Sequence, residues 1–281
     1  MRLEKQGHEL LRVLRGAPEQ PEALWNPAAG WVREGALEGV DAVIHLAGAD
    51  IASKRWSEHR KRLLRESRVD ATRLLVDHIG SLSRRPRVLI SASAVGYYGD
   101  RGDELLTEST TPGDGFLSDL CQAWEQESSR AREFGVRAVQ VRTAGSVLAR
   151  NGGALPKMLL PFRLGLGGRL GSGRQWFTWV SLDDEVGAIE HLLHDDSVEG
   201  AVNVMAPDPV TNAEFTRAFG RTLHRPTLLT VPAFALRLLL GELADEALLS
   251  SQRAVPARLL DLGYKFARTD LDGALEAALS G

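Results

Sequence analysis

Short apolar runs alternate along this chain with longer segments whose apolar residues recur every three or four positions. The first pattern marks buried strands and the second amphipathic helices, so their alternation predicts a parallel sheet joined by crossover helices. Residues 10–14 and 40–47 read as strands. Ser57 is placed to cap a helix that turns Leu63, Leu64, Ala71, Leu74, Leu75 and Ile79 inward and stops at Gly80. A strand over 86–93 follows, then a polar loop over 107–115 and a helix carrying Leu120 and Trp124. Residues 136–142 and 201–205 read as further strands, and 183–194 and 212–223 as helices, the latter capped by Thr211. From Pro232 the pattern is helical or irregular, which predicts a main domain over 1–230 and a small carboxy-terminal lobe over 231–281.

The run VLISASAVGYYG over 88–99 carries the densest chemistry. An apolar strand leads directly into small residues, hydroxyls and two phenols, and in an open α/β sheet the ligand crevice lies at the carboxyl ends of the strands. Ser93 falls at that end; the competing reading is a core strand followed by a glycine turn. Composition adds bounds. The 281 residues are 43% hydrophobic and 25% charged, with a formal net charge of -3, ordinary for a globular chain and without the basic field that nucleic acid attracts. A single cysteine, Cys121, forms no internal disulfide. No apolar run approaches the roughly 20 residues that span a bilayer, and charges interrupt the opening segment, so the reading is a cytoplasmic protein without signal peptide or membrane partner. The seven histidines lack metal-ligand spacing, and no metal site is expected.

Three segments, VDAVIHLAGADIASKRW over 40–56, LISASAVGYYGD over 89–100 and GGALPKMLLPFRLGLGGRLGSGRQWFTWVSLDD over 152–184, resemble the extended short-chain dehydrogenase/reductase superfamily. With FALRLLLGE and RAVPARLLDLGYKF in the tail, the chain is similar to its bacterial NAD-dependent epimerase/dehydratase-like members that end in a small domain of unknown function. The resemblance implies a Rossmann-type, doubly wound parallel sheet with a small, mostly helical carboxy-terminal lobe. It also implies a site for NADP or NAD, and a small-molecule substrate, nucleotide-linked in some relatives, bound between the two parts. Such proteins open with a strand and a G-x-x-G-x-x-G turn, and this sequence has neither. In the order 3-2-1-4-5-6 that first strand is central. The expectation is therefore a sheet interrupted between its second and fourth strands, and weakened dinucleotide binding.

Residue by residue, the resemblance assigns Arg15, at the end of the second strand, to a 2′-phosphate, which favours NADP over NAD; a solvated surface arginine is the competing account. Leu46, Ala47 and Gly48 match the turn that lies along the cofactor, and Ala144 and Gly145 match its nicotinamide end. The superfamily's proton chemistry uses a serine, a tyrosine and a lysine four residues after the tyrosine. Ser93 matches the serine, but Leu117 and Cys121 fall at the other two positions. Tyr97 and Tyr98 are the phenols near enough to substitute, unless they only line the pocket, and Lys54 and Lys157 are the lysines in motif regions. Lys157, Arg163 and Arg174 are the candidate substrate contacts, since their charges suit phosphate or carboxylate. Asp183 and Asp184 read as helix caps. Two functions follow: an NADP-linked oxidoreductase or epimerase-like enzyme, and a dinucleotide-responsive binding or regulatory protein that kept the fold without the proton relay.

Overall fold

The computed structural model describes residues 2–280. The chain opens with α1 (Arg2–Lys5) and a small sheet of β1 (Leu14–Arg15), β2 (Ala23–Asn26) and β3 (Trp31–Val32). There follow β4 (Ala42–His45), α2 (Glu58–Arg65), α3 (Ala71–Ser81), β5 (Val88–Ala94), β6 (Leu105–Leu106), α4 (Phe116–Ser129) and β7 (Arg137–Thr143). With the strand Gly200–Val204, β7, β5 and β4 make a four-stranded, wholly parallel sheet in that spatial order. Val88, Leu89 and Ile90 are fully buried because both faces of β5 are covered, which is why this strand reads as a continuous apolar run. Val88, Ile90, Val139 and Val141 pack toward α6 (Leu182–His194), while Leu89 and Ala138 meet Leu75, Val76 and Ile79 of α3. The Rossmann-type α/β architecture expected from the sequence is the one observed.

The interruption also falls where the strand order places it. The sheet of β1–β3 shares no ladder with β4, whose outer edge has no strand partner among the described residues. The two sheets are held side by side instead by Val13 against the Val43 cluster and by an edge-on contact between Trp25 and His45, with ring centroids 5.7 Å apart. The strand expected over 10–14 shrinks to the exposed pair Leu14–Arg15, because only one of its edges has a ladder to lock into.

Helix signals were legible in detail. The Ser57 hydroxyl accepts from the Arg60 amide at 3.2 Å, and Thr211 and Glu214 form a reciprocal capping box at the start of a helix over Asn212–Thr222. The expected stop at Gly80 is corrected to Ser81: the helix runs through Gly80, where a Cβ would lie 2.6 Å from the Phe134 ring, so the glycine serves close packing and not termination. Between α2 and α3 the helix is wound as a π turn over Glu66–Asp70.

The tail closes the domain through polar contacts. The strand Arg253–Ala254 pairs with β6, and the Glu246 carboxylate accepts from the Phe116 and Leu117 amides at 3.0 Å each, capping α4 from outside its own sequence. The cap of α6 is Ser181, whose hydroxyl accepts from the Asp184 amide at 3.0 Å, which revises the expectation that the aspartates themselves cap it. Asp184, 1% exposed, accepts from the Ser181 hydroxyl at 2.6 Å and from the amides of Ala267 and Arg268 at 2.6 and 3.0 Å, so it anchors the tail. No helix among the described residues is long and apolar enough to cross a membrane. Replacing Asp184 by Ala removes the buried acceptor of these two amides and of the Ser181 hydroxyl and is expected to lower unfolding free energy by about 1–2 kcal/mol in urea titration; a loss below about 0.5 kcal/mol would mean the tail is held otherwise.

Candidate functional site

Register places the site. Ser93 on β5 is the Cα partner of Arg142 on β7, so both side chains leave the sheet on the same face, toward α4. There Glu125 receives them. The Ser93 hydroxyl donates to Glu125 Oε1 at 2.6 Å, while Arg142 Nε and Nη2 donate to the two carboxylate oxygens at 2.8 Å each, a bidentate fork. Arg142 Nη1 donates to the Tyr98 hydroxyl at 3.0 Å. That hydroxyl faces two acceptors for its one proton, Asn203 Oδ1 at 2.8 Å and the Thr107 carbonyl at 3.0 Å. The guanidinium also stacks on Tyr97, with its central carbon 3.4 Å from the ring centroid. Burial opposes a charge at Arg142, which is 4% exposed, but the bonds and charge of Glu125 outweigh it and hold the guanidinium protonated above its ordinary range.

This geometry divides the two candidate phenols. Tyr98 is fully buried and its hydroxyl is saturated; burial pushes it up to about 12 against the pull of Arg142. The expectation of Tyr98 as a proton donor to a ligand is therefore corrected: it braces Arg142. Tyr97 is half-buried, and its hydroxyl bonds to no described residue, so its proton is available. Ser93 lies at the strand end as expected, but its proton is committed to Glu125. On α4, Leu117 and Cys121 are buried core: the Leu117 Cβ lies 3.2 Å from where a Gly96 Cβ would stand, and burial, with Glu125 nearby, pushes the thiol up to about 12. Sequence reasoning missed Arg142 and Glu125 as a functional pair. The available signal was an arginine at the inner end of a strand whose neighbours Val139 and Val141 are apolar, a place where a buried charge requires a carboxylate across from it.

The remaining candidates scatter. Leu46 and Gly48 are exposed and Ala47 half-exposed, forming an open turn at the carboxyl end of β4. At the end of β7, Ala144 is buried, while Gly145 is exposed and donates its amide to the Thr178 hydroxyl at 2.9 Å. Lys157, on α5 (Leu155–Arg163), reaches the β4 turn through an ion pair with Asp50 at 2.7 Å. Arg163 sits exposed at the far end of α5, where its carbonyl accepts from Arg225, and Arg174 is exposed in a separate turn beside Ser172. These two are not brought to the strand ends with Lys157. Lys54 is exposed, and Arg15 is exposed on the small sheet.

The pattern of the NAD dependent epimerase/dehydratase family matches residues 2–204, and that of a domain of unknown function matches 231–278. The chain belongs to the NAD dependent epimerase/dehydratase family. It is 45% identical over 269 residues to an epimerase family protein of Mycobacterium bovis, covering 95% of this chain and 88% of that one. It is 35% identical over 284 residues to the epimerase family protein YfhF of Bacillus subtilis, covering 99% and 92%. Among solved structures, human epimerase family protein SDR39U1 (isoform2) with NADPH superposes with a TM-score of 0.89 at 34% identity, covering 100% of this chain and 94% of that chain.

Within this epimerase-family frame, the residues present fit part of a dinucleotide. The glycine at position 48 and the bare Gly145 leave the strand ends open for close approach, whereas a glycine-rich turn leading from a strand into a helix is not among the described residues. The same rim holds an acid with one unpartnered oxygen. Glu185, half-buried on α6, accepts from the Thr143 hydroxyl at 2.8 Å through Oε1, while its buried Oε2 has no partner, and burial pushes the carboxyl up to about 7. Its folded pKa lies above the unfolded value, so the stability tied to the neutral form is complete below about pH 4.5 and is lost as pH rises through 7. The difference in melting temperature between Glu185→Gln and the parent protein is expected to grow in favour of the variant from pH 5 to 8. A difference flat across that range would contradict the assignment.

Proposed function

We propose that this protein is an NADP-linked oxidoreductase or epimerase-like enzyme in which Tyr97, held by Arg142, takes the proton-transfer role that the superfamily gives to tyrosine and lysine. The observation that carries the reading is the Arg142 guanidinium stacked 3.4 Å from the Tyr97 ring centroid while the phenol hydroxyl stays unbonded. Glu125 by a fork, Tyr98 and the Glu108 carbonyl by hydrogen bonds and Ser93 through Glu125 fix that guanidinium. The Tyr97 ring packs over this guanidinium and edge-on to Tyr98, with centroids 5.3 Å apart, and pre-set orientation is a large part of what positions a general acid. A bound nicotinamide supplies or accepts the hydride; this chain's share is to orient the carbonyl or hydroxyl and exchange its proton with Tyr97.

Arg15, exposed and without an acceptor among the described residues, supports recognition of a 2′-phosphate, and the relative SDR39U1 is described with NADPH. The substrate in this reading is a small molecule with an oxidisable hydroxyl or reducible carbonyl. The single cysteine, buried and free, suits the cytoplasm. A second reading, a dinucleotide-responsive binding protein, is favoured by the Ser93 proton already given to Glu125 and by core residues Leu117 and Cys121 on α4.

NADPH oxidation against a panel of carbonyl compounds separates the two. The enzyme reading predicts turnover, with Tyr97→Phe lowering kcat by about 100-fold or more while the NADPH dissociation constant changes by less than about twofold. Saturable NADPH binding with no turnover of any panel member would favour the binding protein, and a Tyr97→Phe variant with parental kcat would remove Tyr97 from the mechanism.

A further inference from the structure

The turn Leu46–Gly48 rests on an arginine that the network above does not use. Arg68 lies in the π-wound segment Glu66–Asp70, a helix irregularity found often at functional sites. Its neighbour Ser67 accepts the Ala49 amide at 3.1 Å and so pins the turn beside it. The Arg68 guanidinium lies over the Trp124 ring, 5.3 Å from the centroid, and close beneath Gly48, where a Cβ would stand 3.0 Å from its central carbon. Only Nη1 finds protein acceptors, the Leu64 carbonyl at 3.5 Å and the Ser67 hydroxyl at 3.4 Å, both long. Nε and Nη2 donate to nothing among the described residues, and no carboxylate pairs with this half-buried charge.

The surroundings do not neutralise it either. Burial disfavours the Arg68 charge, and the adjacent Cys121 thiol is itself pushed up to about 12 and stays uncharged. Asp50, the carboxylate facing this region, is engaged by Lys157 at 2.7 Å and by the Ala52 amide at 2.8 Å. Arg60, whose Nη2 donates to the Asp50 carbonyl and to Ser53, adds a further positive charge. A half-buried guanidinium with two parallel donors unused, at an open turn with surplus positive charge, matches a bidentate oxyanion.

We propose that Arg68, under the Gly48 turn, is the binding site for an oxyanion group of a bound ligand, a phosphoryl or carboxylate, with Arg60 and Lys157 as its electrostatic support. The proposal rests on reading the strand ends as the ligand cleft, but its test does not require turnover.

Inorganic phosphate is titrated calorimetrically into the full chain. The parent protein is expected to bind phosphate saturably, Arg68→Gln to bind it about tenfold or more weakly, and Arg68→Lys to fall between, since a lysine keeps the charge without the fork. Gly48→Ala leaves Arg68 in place but puts a methyl against its guanidinium, and it is expected to weaken phosphate as well, which covers the case of an Arg68 variant that folds poorly. Arg221→Gln, on the helix over Asn212–Thr222 where the guanidinium pairs with Asp272 at 2.7 Å, is the control and is expected to bind like the parent. Repeating the titration with saturating NADPH identifies the source: retained phosphate binding assigns the oxyanion to a second ligand, and displaced phosphate assigns it to the dinucleotide. Equal phosphate affinity in the parent, Arg68→Gln and Gly48→Ala, or no phosphate binding by the parent, would overturn the proposal.

Discussion

A guanidinium buried between the central sheet and α4 is the constraint around which the rest of this site is arranged. Arg142 is almost wholly removed from water, and an uncompensated charge there would cost several kcal/mol. The fold meets that cost with a carboxylate on the facing helix, a phenol on the loop after β5 and an aromatic face beneath the charge. Each partner is thereby fixed in turn. Ser93 is drawn to Glu125, Tyr98 is drawn into the core, and Tyr97 is left as the phenol with a free hydroxyl.

The constraint reaches into the tail. Tyr98 bonds Asn203 Oδ1, and the side-chain Nδ2 of Asn203 donates to the Val255 carbonyl at 2.9 Å, so the network that holds Arg142 ends on the segment that follows the central sheet. Glu108 extends it, since one of its oxygens accepts from the Asn203 amide at 3.0 Å and from the Arg258 amide at 3.2 Å. Glu246 caps α4, the helix that carries Glu125, from the same part of the chain. The tail therefore does more than cover apolar surface: it sets the orientation of the helix and loop that flank the site.

What was legible in the sequence follows from how local each signal is. The strands of the central sheet, the Ser57 and Thr211 caps and the position of Ser93 depend on residues near one another in the chain, and they could be read there. Gly80 misled because a glycine inside a helix signals a stop locally, while here it answers the distant Phe134 ring. Tyr97 and Tyr98 are adjacent and chemically identical, so nothing local distinguishes them; strand register and the position of Arg142 do. Arg163 and Arg174 sit in one motif with Lys157, yet they meet different neighbours, Arg225 and Ser172, while Lys157 alone of the three pairs with Asp50. Arg68 escaped notice because its signal is a missing partner, which only tertiary structure reveals.

The most direct test of the central claim is a double-mutant cycle on unfolding free energy with Glu125→Gln and Arg142→Met. If the pair is the organising interaction, the double variant is expected to be more stable than the sum of the single losses predicts, by at least about 1.5 kcal/mol. Losses that add to within about 0.5 kcal/mol would show that the two residues act independently, and the account of the site would fail with them.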